Sequence, residues 1–261
     1  MSPFETALVV ASLIFAAYLL GMIVAPLLSD AHLSAKALEI INDARSLVTG
    51  LAALTLGLLI ATANSSFEEK SKEIKHEATD AILVDRLLRD YGPQADRARE
   101  ELRIAVQNEL DRMNEARRPG VDAKQIFGSV RSGNIRAEIL KLSPNNDREA
   151  WLKTTALAAA QDFVTSRWRI YHEMYSSIKW PLVYVAVFWI AAIFFSLGIK
   201  TPRNIFPVGG MLIASLAMAG AMYLMFEMDM PFQGFITVSA APLESAVQQI
   251  KETAVAISEK Q

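Results

Sequence analysis

Four stretches of the chain carry no Asp, Glu, Lys or Arg: 6–29, 46–67, 180–199 and 204–226. Each is mostly apolar. A helix needs about 20 such residues to cross a hydrocarbon core about 30 Å thick. A soluble core helix of that length keeps a polar face. The pattern therefore predicts four transmembrane helices, at about Phe4–Leu28, Ser46–Ser66, Trp180–Gly198 and Ile205–Phe226. Pro26 falls near the end of the first, where a lost backbone bond is cheap. The start, Met1 to Glu5, has no positive charge, and the apolar run behind it is longer than a signal peptide needs, so it reads as an uncleaved span. Trp180 suits a headgroup-level anchor. Lys200 to Asn204 is a tight link, which makes spans three and four an antiparallel hairpin.

The pattern changes between spans two and three. Of the 54 charged residues, 39 lie between Ser65 and Lys179. Span two has no Gly or Pro after Gly57 until Gly92 and Pro93, which predicts that it runs unbroken into a charged helix. A second helix starts at Pro93. Its Ala98, Leu102, Val106, Leu110 and Met113 recur every three or four positions and give it one buried face. Arg118, Pro119 and Gly120 stop it. Residues 121–135, with Gly128 and Gly133, read as a short helix with loops. A third helix covers about 147–176, with Trp151, Ala156, Ala160, Phe163, Ser166 and Trp168 near one side. Ser29 to Arg45 reads as a polar loop. The tail ends in an amphipathic helix with Leu243, Val247, Ile250, Ala254 and Ile257 on one face, which needs a membrane or a neighbouring subunit to cover it.

The expected fold is all-α: a four-span helical membrane protein with a helical soluble insert. The expected divisions are 1–66 (spans one and two), 67–177 (insert), 178–230 (spans three and four) and 231–261 (tail). Both termini and the insert share one side of the membrane. That side has Lys70, Lys72, Lys75, Arg167, Arg169 and Lys179 near span ends; the other has Lys36, Arg45, Lys200 and Arg203. Six against four favours a cytoplasmic insert, in a bacterial inner membrane.

Charge and composition remove several function classes. The insert's 20 basic and 19 acidic residues nearly cancel, which excludes an electrostatic nucleic-acid binder. They sit at helical spacing, as on a solvated face. Without cysteine there is no thiolate metal site and no cysteine nucleophile. His32, His76 and His172 are far apart. His76 with Glu77, and His172 with Glu173, lack the second histidine of a zinc motif. No phosphate-binding loop, dinucleotide fingerprint or nucleophile elbow is present, so no catalytic residue is assigned and an enzyme is not expected.

Span two carries the candidate chemistry. Thr55, Thr62 and Ser66 fall within roughly 40° of one another at 100° per residue. Gly50, Ala53, Gly57, Ala61 and Asn64 make a neighbouring strip of small residues. The hydroxyls are candidate pore-lining groups; the alternative is close helix packing, with each hydroxyl bonded to its own preceding turn. On span four, Gly210, Ala214, Ala217, Gly220 and Ala221 read as a helix-packing strip. Glu227 and Asp229 follow it. They are a candidate Ca²⁺ pair or ordinary interfacial charges. No other cofactor is expected.

The chain resembles the bestrophin-like domain family. The matching pieces are Leu54 to Ala61, Ser65 to Phe67, Leu83 to Pro93, Leu142 to Asp147, Ser166 to Trp168, Phe188 with Trp189, Pro202 to Asn204, Glu227 to Ile236 and Ser239 to Leu243. Bestrophins are oligomeric anion channels with a Ca²⁺ site after the last span. The resemblance thus implies a homo-oligomer in membrane lipid, with span two lining a pore for an inorganic ion. Where bestrophins carry a dense run of acids, this chain has Glu227 and Asp229. The alternative is a non-conducting membrane scaffold or sensor whose insert binds a protein.

Overall fold

The computed structural model describes residues 2–28, 35–118, 121, 125–126, 134–172, 178–202 and 204–258. His32, Gly128, Gly133 and Arg203 lie outside them, as do the side chains of His172, Ala254 and Ile257. The main helices are α1 (Pro3–Val24), α2 (Ala35–Tyr91), α3 (Asp96–Ala116), α4 (Ile135–Lys141), α5 (Asp147–His172), α6 (Trp180–Lys200), α7 (Ile205–Asp229) and α8 (Ala241–Ser258). No strand occurs among the described residues. Among the described residues, four helices are long and apolar enough to cross a membrane, within Pro3–Leu27, Glu39–Tyr91, Trp180–Lys200 and Ile205–Asp229.

The chain forms two compact units: Met1–Ser66 with Ser176–Asp229, and Phe67–Tyr175 with Met230–Gln261. The boundary at Ser66 falls inside α2, which supplies a stretch to each. The insert and the tail, expected as separate divisions, thus belong to one unit.

In the first unit, α1 opens with a capping box. Ser2 N–H donates to Glu5 Oε2 at 2.8 Å, and Glu5 N–H donates to Ser2 Oγ at 3.2 Å. Pro3 follows at the first helical position, where its missing N–H costs nothing. The core joins Ile14 and Tyr18 of α1, Ala52, Leu59 and Ala63 of α2, Ala186 and Ile190 of α6, and Met222 and Met225 of α7. α1 and α6 pack through Gly21 and Gly198. A Cβ on Gly21 would lie 2.1 Å from the Phe195 carbonyl oxygen, and one on Gly198 2.1 Å from that of Tyr18. Small residues permit such backbone approach in membranes. Trp180, partly exposed, stacks on Phe226 at 5.7 Å.

Residues 35–45, expected in a loop, are helical. The charges of Lys36, Glu39, Asp43 and Arg45 end an apolar run but do not end a helix, and Ala, Leu, Lys and Glu are strong helix formers. Lys200 donates to Asn42 Oδ1 there, joining α6 to α2.

In the second unit, Ile74, Ala81, Val84 and Leu88 of α2 share a core with Leu102, Val106 and Met113 of α3, Ile135 and Ile139 of α4, and Ala156 and Phe163 of α5. Gly92, at φ +112°, ends α2 in a conformation that favours glycine. On α5, Ala156, Ala160, Phe163 and Ser166 are buried, but Trp151 and Trp168 are exposed. Trp151 is five positions from Ala156, so it falls about 140° around the helix.

The amphipathic α8 finds its partner within its own chain. It packs on α3, with Leu243, Ala246, Val247 and Ile250 buried. Arg117 Nη2 donates to the Val238 carbonyl at 2.6 Å, and Lys251 Nζ to Gln107 Oε1 at 3.1 Å. The expected need for a membrane or a second subunit does not arise at these buried positions.

Candidate functional site on the second span

Within its hydrophobic part α2 buries one narrow seam: Ala52, Leu59 and Ala63. These positions, seven and four apart, lie within roughly 40° on the helix. The hydroxyl strip flanks that seam. Thr55 and Ser66 are half-buried, and Thr62 is exposed. Thr62 Oγ1 donates to the Leu58 carbonyl at 2.8 Å, the back-bonding available to a helical threonine.

The small-residue strip is not beside the hydroxyls. At 100° per residue the two strips lie roughly 160° apart. Gly50, Gly57 and Asn64 are exposed on the far side of the helix from the seam. A Cβ added at Gly50 or Gly57 would meet nothing within 4 Å. Between the two strips runs a row of exposed leucines, Leu47, Leu51, Leu54 and Leu58.

The small residues of α7 behave similarly. Gly210, Ala217 and Gly220 are exposed, and Ala214 and Ala221 half-exposed. Gly210 and Gly220 have open space around them. α7 turns Ser215, Ala219, Met222 and Phe226 inward instead. The glycines that pack helices within the chain are Gly21 and Gly198, which the sequence reading passed over. The usable signal was that each is the single glycine of an otherwise bulky span.

At the end of α7, Glu227 is buried and its Oε1 accepts from Tyr223 Oη at 2.7 Å; Asp229 is half-exposed. Ca²⁺ takes about six to eight oxygens. Among the described residues no group of three or more His, Asp or Glu could hold a metal. The two carboxylates alone fall short of such a shell.

The insert holds polar groups that the sequence placed on a solvated face. Lys70, Glu77, Asp85, Arg99, Glu109 and Arg167 are all buried. Asp85 of α2 accepts from Arg99 Nε of α3 at 3.0 Å. Glu109 Oε2 of α3 accepts from Arg167 Nε at 3.1 Å and Nη2 at 2.7 Å, and from Arg112 Nη1 at 3.3 Å. Glu77 Oε1 is 3.6 Å from the same Arg167 Nε, and neither of its oxygens has a hydrogen-bond partner among the described residues. Glu77 lies eleven positions past Ser66, beyond the charge-free stretch read as the membrane span. Burial pushes its carboxyl well above the ordinary range; the Glu109 charge adds to this, and Arg167 and Arg112 oppose it. Helical spacing hid these pairs, because their partners are 14 and 58 positions away.

An all-helical chain with four apolar spans and one long helix leaving the second of them defines a multi-pass membrane protein. Residues 12–243 match the Bestrophin-like domain, and the chain belongs to that family. Among solved structures, it is similar in fold to a bacterial bestrophin homologue from Klebsiella pneumoniae, crystallised as a point mutant. The TM-score is 0.57 at 14% identity, over 92% of this chain and 96% of that one. A search of curated proteins finds no match.

Proposed function

We propose that the protein is a homo-oligomeric ion channel in which α2 lines the conducting path for an inorganic ion, with an anion the first candidate. One observation carries this reading. The apolar stretches of α2 and α7 are each 17% buried within the chain, against 33% for α1 and α6, but α2 bears Thr55, Thr62, Asn64, Ser65 and Ser66 where α7 has Ser215 as its only Ser, Thr or Asn. Lipid can cover the leucine row at little cost. It covers Asn64 and the glycine strip poorly, whereas a second copy or a water-filled axis suits them. Family membership and the fold of the Klebsiella homologue support the same reading. Both termini and the insert face the cytoplasm, by the even span count and the Lys/Arg bias.

The second reading, a non-conducting scaffold or sensor, is favoured by the internal bond from Thr62 to Leu58, since that hydroxyl proton is already used. Flux from purified protein in liposomes separates the two, measured for chloride, potassium and sodium in turn. A channel conducts at least one of them. Correctly assembled protein that conducts none is a scaffold.

A further inference from the structure

We propose that the buried Glu77–Glu109 pair carries one proton in the folded insert, which makes the junction of α2, α3 and α5 a proton-binding site. Three buried ionisable side chains meet there, one from each helix: Glu77 at 0% exposure, Glu109 at 3% and Arg167 at 4%. Arg167 directs two N–H groups at Glu109, and Arg112 adds a third to the same oxygen. Glu109 is thereby satisfied as an anion. Among the described residues, Glu77 receives no hydrogen bond. A buried carboxylate without one is costly, and binding a proton is the usual escape.

The nearest counter-ion, Arg167, stands off at 3.6 Å from Glu77 Oε1 and makes no hydrogen bond to it. On α2 itself, Lys70 and Glu73 precede Glu77 and His76 adjoins it. Glu73 leaves its own Oε2 buried without a hydrogen-bond partner among the described residues. Asp80 follows, and its carboxyl is also raised: burial first, then Asp162 of α5 and Glu73, against His76. From α3 come Glu109 and Arg112. From α5 come Asp162, Arg167 and Arg169, whose Nη1 reaches Glu73 Oε1 at 3.5 Å. The guanidinium nearest Glu77 is the one already committed to Glu109.

The consequence for folding has a definite sign. In the unfolded chain Glu77 ionises at an ordinary carboxylate value; in the folded insert it holds its proton to higher pH. The stability it contributes is fully present in acid and is lost as pH rises through the folded value. At high pH Glu77 becomes a second buried carboxylate beside Glu109, without a hydrogen bond among the described residues, and packing there weakens. This site is independent of whether the protein conducts.

The test uses full-length protein in lipid nanodiscs. Infrared spectra of the wild type should show a protonated-carboxyl carbonyl band at neutral pH that titrates away in alkali. Glu77→Gln should remove it. Glu109→Gln should remove it too, because Arg167 is then released to Glu77, which ionises. In unfolding experiments the wild-type melting temperature should fall as pH rises from about 5 to about 8. Glu77→Gln should flatten that fall and melt above the wild type at the alkaline end. A wild type without the band at neutral pH overturns the proposal, and that reading depends on no variant folding. So does a band that survives in a folded Glu77→Gln protein, or a variant that melts below the wild type at every pH.

Discussion

Gly21 of α1 and Gly198 of α6 approach so closely that neither can carry a side chain: an added methyl on either would lie 2.1 Å from a carbonyl oxygen of the other helix. The obstacle is backbone on both sides, so no rotamer change relieves it. Gly21→Ala or Gly198→Ala should destabilise the span bundle by about 1–3 kcal/mol, the range for overpacking. Gly50→Ala and Gly57→Ala meet open space inside α2 and should leave chain stability unchanged or raise it by up to about 1 kcal/mol. Under the channel reading those two should instead alter the oligomer distribution, as seen by native mass measurement. Equal damage from all four would remove the distinction between inner and outer glycines.

The Asp85–Arg99 pair gives a second outcome. Its side chains are 4% and 10% exposed and 3.0 Å apart. Arg99→Ala leaves a buried carboxylate alone, at a cost of about 3–5 kcal/mol. Asp85→Asn with Arg99→Met removes both charges and should recover most of that loss. Chemical denaturation of the three proteins measures the difference. A double variant no better than the single one would show that the residues act through packing.

The spans were legible because the absence of charge over twenty residues has one common cause. The unbroken helix past Ser66 was legible because nothing stops it before Gly92. The start of α2 at Ala35 was missed because charge was read as the end of structure when it was only the end of the membrane. The partner of α8 was missed because amphipathicity shows that a face must be covered and never says by what. Glu77, Glu109 and Arg167 were missed for a related reason. A charge on a helix reads the same whether water or another helix faces it, and only the tertiary fold brings α2, α3 and α5 together.

Orientation is tested with single cysteines in this cysteine-free chain. Lys141→Cys lies in the insert; Lys36→Cys and Asn204→Cys flank the spans at the other side, and all three positions are exposed. In intact cells a membrane-impermeant thiol reagent should label positions 36 and 204 and spare 141. The reverse pattern would invert the topology.

Thr62→Val tests conduction at nearly constant volume. The threonine is exposed, and its hydroxyl bonds its own helix. If α2 lines the pore, the valine variant should assemble normally and show lower flux or a changed ion preference, because pore-lining groups set both. Unchanged flux from a wild type that conducts would move the pore face to the Asn64 side of α2. That outcome would call for Asn64→Leu as the next variant.

The packing of α8 on α3 also sets an order of events during synthesis. The insert's core includes Leu243, Ala246, Val247 and Ile250, from an element more than 120 positions after α3 ends. At about 5–20 residues per second, a ribosome reaches α8 on the order of ten seconds after finishing α3. In that interval α6 and α7 must also be delivered to the bilayer. The insert therefore waits, with one side of α3 uncovered, until α8 has been made. A chain cut short at residue 240 would hold four spans and an insert that never closes.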